Sequence, residues 1–478
     1  MSATAHRAAP LCALALLSAC RVGPNFHSPA APAGAEAPLV SLDSRLESPA
    51  QPPDAWWRLY KDERLDQLVT QALSANRDLA AADANLSAAR AVLSSVHAAR
   101  YPQTQLSFGG VYGRDPTTEE ILEIGGHAPQ RLWLWEDIAQ AAYEVDLFGQ
   151  IHRAIEAASA NADVVAAARD GTRVVVAAET ARAYAAICAY GEQLRVAHQS
   201  LDIVSHESEI TSKRYQAGAG AQLDVTRAQA LVAQVQSSIP PLEGARQAAL
   251  FELAALLGRT PTQAPRELQS CETPPQLTAL MPIGDGRSLI RRRPDVRQAE
   301  RHLAAATATI GVAVADLYPK ITLIGFYGGA ATAIPQLTSN LGRVWGVGPS
   351  ISWNFPNQAG ARAKVREAKA SEAAALASFD SVVLTALKET EQALVTYRAT
   401  LEQREALLQA QAQIHRSFDI ASNEFSAGSL SQLDLLTTEQ TLVAIDAAVA
   451  SSDAALIQDQ IGIFKALGGG WQATATAG

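Results

Sequence analysis

The sequence predicts a transmembrane β-barrel to which each chain gives four strands, joined to long α-helical coiled-coil hairpins, the whole built by internal two-fold duplication. Three observations predict it: a strictly alternating segment at residues 344–355, long alanine-rich runs without proline, and the recurrence of one residue pattern in the two halves of the chain.

The strand signal is clearest from Val344 to Phe355. One face carries Trp345, Val347, Pro349, Ile351, Trp353 and Phe355, and the other Val344, Gly346, Gly348, Ser350, Ser352 and Asn354. Alternation at period two is what a strand with one face in lipid requires. With the usual tilt, Trp345 and Trp353 stand roughly 20 Å apart along the membrane normal, the spacing of two aromatic girdles. The preceding strand, at about 320–329, is less cleanly patterned. The first half offers Leu106, Phe108, Gly110 and Tyr112 within 103–113, then a strand at about 132–146 that adds Trp133 and Trp135. Asp137 is a misfit on the apolar face, which shifts the register there or puts it near a rim. A soluble sheet with one buried face is the alternative for all four strands. Four strands cannot close a barrel, and an open edge is not tolerated in lipid. Two copies would fill the interior with side chains, whereas three, with about twelve strands, leave a channel.

No proline occurs from Leu147 to Tyr215, and a single helix there would run roughly 100 Å. Ile187, Tyr190, Leu194, Ala197, Leu201, Val204, Ser208, Thr211 and Tyr215 follow in steps of three and four, the spacing of a coiled coil. Gly171 interrupts the run and could kink or break the helix there.

The duplication is read by direct comparison. Asp78-Leu79 recurs as Asp295-Val296 and Tyr101-Pro102 as Tyr318-Pro319; Tyr215-Gln-Ala-Gly218 recurs as Phe425-Ser-Ala-Gly428, and Leu223-Asp224 as Leu433-Asp434. A proline-rich linker at 260–285 separates the copies, 61–259 and 286–470, and a Pro/Ala-rich segment fills 20–60; residues 471–478 are a tail.

The chain has 478 residues, 48% of them hydrophobic, and a formal net charge of −9, which speaks against a nucleic-acid surface. Four cysteines and nine histidines are present. Cys12 and Cys20 lie in the leader, and Cys188 and Cys271 lie far apart, which reads as neither a disulfide framework nor a metal cluster. Beyond the leader the sequence reads as having no apolar run long enough for a membrane-spanning helix. The leader, 1–19, has His6 and Arg7 before an apolar stretch and ends in Leu17-Ser18-Ala19-Cys20. That ending resembles the lipobox of bacterial lipoproteins, which implies a covalent lipid on Cys20, palmitate included. Arg21 in place of Asp implies sorting to the outer membrane.

Cys20-Arg-Val-Gly-Pro-Asn-Phe26, Trp56-Trp57, Tyr143-Glu-Val-Asp-Leu-Phe-Gly149, Arg292-Arg-Pro-Asp-Val296 and the two glycine turns occur in one order across nearly the whole chain. In these pieces the chain resembles the outer membrane factor family, the TolC-like efflux outer membrane lipoproteins. The resemblance implies a homotrimer with a twelve-stranded barrel in the outer membrane of a Gram-negative bacterium and a helical barrel in the periplasm. It implies a periplasmic adaptor and an inner membrane pump of the RND class as partners, with no cofactor and no enzymatic activity. A passive conduit for small molecules is the function it implies, with the conduit of a type I protein secretion system as the alternative. The glycine turns, with Tyr215, Gly218, Phe425 and Gly428, would meet the adaptor. Leu433 and Asp434 would form the periplasmic gate, with Asp224 the equivalent of Asp434 in the first copy. Thr437 stands where some members have a second carboxylate. The plain alternatives are helix C-caps for the glycines and a helix-start carboxylate for Asp434. Arg291-Arg292-Arg293 reads as a structural feature before a helix starting at Pro294, with a recognition patch the alternative. A periplasmic enzyme or a structural rod are the other classes; no nucleophile–base pair, phosphate loop or metal constellation stands out.

Overall fold

The computed structural model describes residues 21–42, 47–48, 50–114, 124, 131–277 and 280–469. The expected lipidation site Cys20, Cys12 and the leader lie outside the described residues. The main elements are α1 (Glu63–Ala75), α2 (Arg77–His97), β1 (Gln103–Gly113), β2 (Leu132–Val145), α3 (Gln150–Gln216), α4 (Gln222–Leu256), α5 (Gly286–Arg292), α6 (Pro294–Ala315), β3 (Lys320–Ala331), β4 (Arg343–Ser352), α7 (Ala359–Ser426) and α8 (Gln432–Ala466). The chain folds into two compact units, one built on Ser87–Val164 and Ala299–Phe379, the other on Ala30–Leu86, Val165–Gln298 and Asp380–Gly478.

The first unit holds one antiparallel sheet in the order β1-β2-β3-β4. Its register puts Phe108 opposite Asp137, Tyr327 opposite Trp345 and Gly325 opposite Val347. Because side chains alternate between faces, one face collects Leu106, Phe108, Tyr112, Trp133, Trp135, Tyr143, Leu323, Tyr327, Trp345, Val347 and Ile351. The other is mixed and more polar, with Gln105, Ser107, Gln140, Glu144, Thr322 and Ser350 beside Val111, Ile138, Ile324 and Phe326. The Trp135 ring covers Gly110, where a Cβ would stand 2.5 Å from the indole, and Phe326 covers Gly346 in the same way. The strand expected to reach Phe355 stops at Ser352. Beyond it the Trp353 indole donates to the Leu317 carbonyl at 3.1 Å and its ring stacks on Phe355, which turns the chain out of the ladder.

Asp137 is explained by the same register. It sits opposite Gly329, near the end of the sheet where β3 turns into β4. The turn folds back there: a Cβ on Gly329 would stand 2.8 Å from Asp137 Oδ1 and 2.3 Å from the Leu337 carbonyl oxygen. The register is sound, and the carboxylate lies at the rim under a loop rather than in the middle of the apolar face.

The segment after the leader is strapped to this unit. Arg153, buried on α3, donates to the carbonyls of Val22 (3.2 Å) and Gly23 (3.3 Å) and to Asn25 Oδ1 (2.8 Å). Phe26 packs against Ala160, Ala304 and Ala305. A Cβ on Gly23 would stand 2.5 Å from Gly311 Cα, so only glycine lets the strap cross α6 so closely. The Tyr143–Gly149 motif makes the corner between β2 and α3. Asp146 accepts from the backbone N–H of Ile151 (3.1 Å) and His152 (2.9 Å), capping the helix, while Phe148 stacks on Tyr318.

The second unit is helical. Its core gathers Trp56, Trp57, Leu65, Val69, Ile187, Leu250, Leu253, Leu289, Ile461 and Phe464. Trp56 stacks on Phe464 with centroids 4.7 Å apart, and the Trp57 indole donates to Asp66 at 2.8 Å. The helix α3 runs unbroken for 67 residues, so Gly171 does not interrupt it. The reading of Cys188 and Cys271 is corrected: they form a disulfide across 83 residues of sequence, with Cα atoms 4.7 Å apart. The linker crosses α3 at Gly191, where a Cβ would run into the Cys271 carbonyl oxygen, and that crossing brings the two sulfurs together. Among the described residues, no helix holds an uninterrupted apolar run of spanning length, but two of them reach membrane-like apolarity by average composition. Both α7 and α8 contain an 18-residue window of mean hydropathy 1.3. Alanine content lifts these windows, and α8 places Ile457, Ile461, Ile463 and Phe464 in the unit's own core.

Candidate functional site

Two regions carry features that a packed core does not need: the apolar face of the sheet and the tips of the two helix hairpins. The sheet face is large and uncovered. Leu106, Phe108, Tyr112, Trp133, Tyr327, Trp345, Val347 and Ile351 are all exposed, and Trp345 reaches 70%. Exposed apolar surface on this scale marks an interaction with lipid or protein. Aromatic rings gather at the end of the sheet that holds the β1–β2 connection: Trp133 stacks on Trp135 at 5.1 Å, Phe108 lies 5.9 Å from Trp135 and Tyr112 5.4 Å from Trp133. Tyr143 and Trp353 mark the opposite end. Among the described residues, the outer strands β1 and β4 each have one edge unpaired.

Each hairpin tip is closed by a glycine. Gly218 (φ 77°) and Gly428 (φ 79°) are left-handed. The turns match bond for bond: Gly218 N–H donates to the Tyr215 carbonyl and Ala219 N–H to Arg214, while Gly428 donates to Phe425 and Ser429 to Glu424. Such a bond pattern satisfies the last carbonyls of α3 and α7 and needs a residue without a Cβ penalty.

The two tips present different side chains. Tyr215 is exposed, its hydroxyl 3.1 Å from Gln222 Oε1. Phe425 is 5% exposed, packed with Ile210, Ala421 and Leu435, and the Arg214 guanidinium lies 4.3 Å from its ring centre. The expectation that Phe425 contacts a partner is therefore corrected: its ring supports the tip from inside, because an aromatic ring at that helix position falls on the buried seam. Leu433 is 51% exposed. Asp434 lies in the first turn of α8; its backbone N–H donates to Ser431 Oγ (3.2 Å), and that hydroxyl donates to Asp434 Oδ2 (2.6 Å). The carboxylate is thus a helix-start group that also faces outward. Asp224, in the first turn of α4, has no side-chain cap before it, since Ala221 occupies that place.

Two of the three arginines, Arg292 and Arg293, are buried and structural, while Arg291 is exposed. Arg292 Nε donates to the Leu467 carbonyl at 2.8 Å, and Arg293 Nη1 to Ala466 at 2.7 Å, so both cap the end of α8. Burial pushes the Arg292 guanidinium down to about 10, with Asp54 opposing. Two features escaped the sequence reading: the disulfide, and a pair of buried glutamates, Glu207 and Glu439. Glu439 sits three residues after Leu436 and three before Leu442, so the spacing itself carried the signal.

Known proteins resemble this chain over most of its length. The profile described as outer membrane efflux protein matches residues 68–259 and 287–469. Nodulation protein T of Rhizobium leguminosarum bv. viciae is 28% identical, covering 97% of this chain and 93% of that protein. The pyoverdine export outer membrane protein OpmQ of Pseudomonas aeruginosa is 29% identical, covering 96% and 97%. Among solved structures, the outer-membrane channel OprN superposes with a TM-score of 0.86 at 34% identity, covering 95% of this chain and 100% of that one. The CmeC channel of Campylobacter jejuni, with a TM-score of 0.83 at 19% identity and coverage of 95% and 96%, shares the fold. The chain therefore belongs to the outer membrane efflux protein family, and its function is that of an outer membrane efflux channel.

Proposed function

We propose that three copies of this chain close a twelve-stranded barrel in the outer membrane and continue it as a helical tube into the periplasm. In this reading a lipid on Cys20 anchors each copy, and an adaptor and an inner membrane pump of the RND class drive small molecules through the passage. The observation that carries it is the sheet of the first unit: one exposed face rich in aromatic and aliphatic side chains, a second, more polar face, and, among the described residues, one unpaired edge on each outer strand. Lipid leaves no water to satisfy those edges, so neighbouring copies must supply the missing strands. The Trp residues at the two ends of the apolar face, Trp133, Trp135 and Trp345 against Trp353, serve as the girdles.

Three further features support the reading. The order helix, strand, strand, long helix, 35-residue helix occurs twice, with long helices of 67 and 68 residues, as a duplicated gene would give. The strap holds Arg21 beside Gly149, and Val22 N–H donates to the Phe148 carbonyl just past the end of β2. A lipid on the preceding residue would then enter the membrane at the barrel's own boundary. The disulfide fits an oxidising compartment. Mass measurement of the detergent-extracted protein should give three copies, each heavier than residues 20–478 by its acyl groups. A monomer or dimer would refute the barrel, and three unmodified copies would refute only the anchor.

Three copies of Leu433 and Asp434 form the gate at the periplasmic end, with Gly218, Gly428 and Tyr215 at the adaptor contact. The isolated channel should conduct poorly and favour cations, because a ring of carboxylates in a narrow passage attracts them. Asp434→Ala should raise single-channel conductance several-fold and weaken cation selectivity. It leaves the Ser431 cap in place, since the backbone N–H is the donor there. Asp224→Ala should do less. Unchanged conductance and selectivity in Asp434→Ala would leave that residue as a helix-start carboxylate.

A further inference from the structure

The seam between α3 and α8, a few turns from the tips, has one polar layer between two apolar ones. Toward the tips, Ile210 and Leu435 pack with Phe418 and Phe425. On the other side, Val204 packs with Leu231, Val235, Leu436 and Val443. Between them lie Glu207, one turn after Val204, and Glu439, one turn after Leu435 and Leu436. Both are buried, at 9% and 2% exposure. Oε1 of Glu439 is buried and has no hydrogen-bond partner among the described residues, and the same holds for the hydroxyl of Thr211, one turn beyond Glu207.

Two ionised carboxylates placed so would lose their hydration and repel each other, so the seam closes only if one holds a proton. Burial, and then Glu207, pushes Glu439 up to about 8. Burial also raises Glu207, with His206 opposing. The other charged groups on these helices are engaged or outside. Glu209 pairs with Lys213, His415 with Asp446, and Arg214 lies on the Phe425 ring; Arg227, Arg416, Asp419 and Asp434 are exposed or half-exposed.

We propose that Glu207 and Glu439 form a proton-operated clasp that holds α8 against α3 when protonated and drives the two hairpins apart at this level when both carboxyls ionise. The inference concerns a contact within one chain and does not rest on the trimeric gate. The folded value of Glu439 lies above its ordinary 4.5, so the stabilisation is full below about 4.5 and is lost as the pH rises through about 8. Acid tightens the clasp and alkali slackens it.

Difference infrared spectroscopy on the full-length protein in detergent reads the proton directly. A carboxylic-acid carbonyl band should be present at about pH 6, disappear by about pH 9, and be lost or sharply reduced in Glu439→Gln. Hydrogen exchange in the segments around Glu207 and Glu439, corrected for intrinsic base catalysis, should show opening that rises by up to about tenfold per pH unit across that window. In Glu439→Gln, a neutral isostere, the profile should be flat. Should that variant misfold, Glu439→Leu fills the same gap between apolar layers and should be flat as well. The proposal is overturned by the absence of the band at pH near neutral, by an undiminished band in Glu439→Gln, or by exchange as steep in the variants as in the native chain. A band abolished by sodium or potassium would assign the site to a bound cation and overturn it too.

Discussion

Val347→Arg is expected to cripple barrel assembly, whereas Ser350→Arg, three residues on, is expected to be tolerated. Val347 lies at the middle of β4 on the apolar face, 73% exposed and opposite Gly325; Ser350 lies on the polar face, opposite Thr322. An arginine in the lipid-facing layer near the bilayer midplane costs about 2–4 kcal/mol, and every copy in a closed barrel carries the same cost. On the polar face the guanidinium would stay in water. Heat-modifiable mobility on a gel and insertion into lipid vesicles measure the difference. Equal assembly of the two variants would mean that the apolar face is covered by protein and not by lipid.

Arg293→Ala should destabilise the helical unit by about 3 kcal/mol, the lower end of the cost of breaking a buried ion pair. The Arg293 side chain is 9% exposed and bridges Asp295 (2.6 Å) and Glu389 (2.7 Å), while also donating to the Ala466 carbonyl. Its removal uncaps α8 and strands two carboxylates, but these are each 45% exposed and regain water, which limits the loss. Lysine should recover little, because one ammonium cannot reproduce the fork that spans both carboxylates and a carbonyl. Thermal unfolding followed by helical circular dichroism at fixed ionic strength is the measurement. A loss below about 1 kcal/mol would class the cluster with exposed pairs.

What the sequence determined by itself follows from short-range periodicity. The alternation around Val347 is local, because a strand sends successive side chains to opposite faces whatever lies beyond it. The step of three and four from Ile187 to Thr211 is equally local, and it produced an unbroken helix where Gly171 alone could have argued otherwise. Gly218 and Gly428 were legible for the same reason: a helix that must end and reverse needs a left-handed residue at one place. Arg292 and Arg293 before Pro294 were legible as structure, though not which carbonyls they cap.

The tertiary structure decided what depends on which segments meet. Cys188 finds Cys271 only because the linker crosses α3 at Gly191, and no spacing encodes that crossing. Phe425 and Tyr215 hold equivalent places in the two glycine turns, yet one is buried and the other exposed, because the seam beside the second tip needs a ring to cover Leu435. Asp137 broke the pattern on paper and is accounted for by a loop that returns over Gly329. Glu207 lies on α3 and Glu439 on α8, helices from opposite halves of the chain. Glu439 falls on the apolar stripe of its own helix, between Leu436 and Leu442, but only the packing of α8 on α3 joins it with Glu207 in one buried layer whose charge state the fold must control.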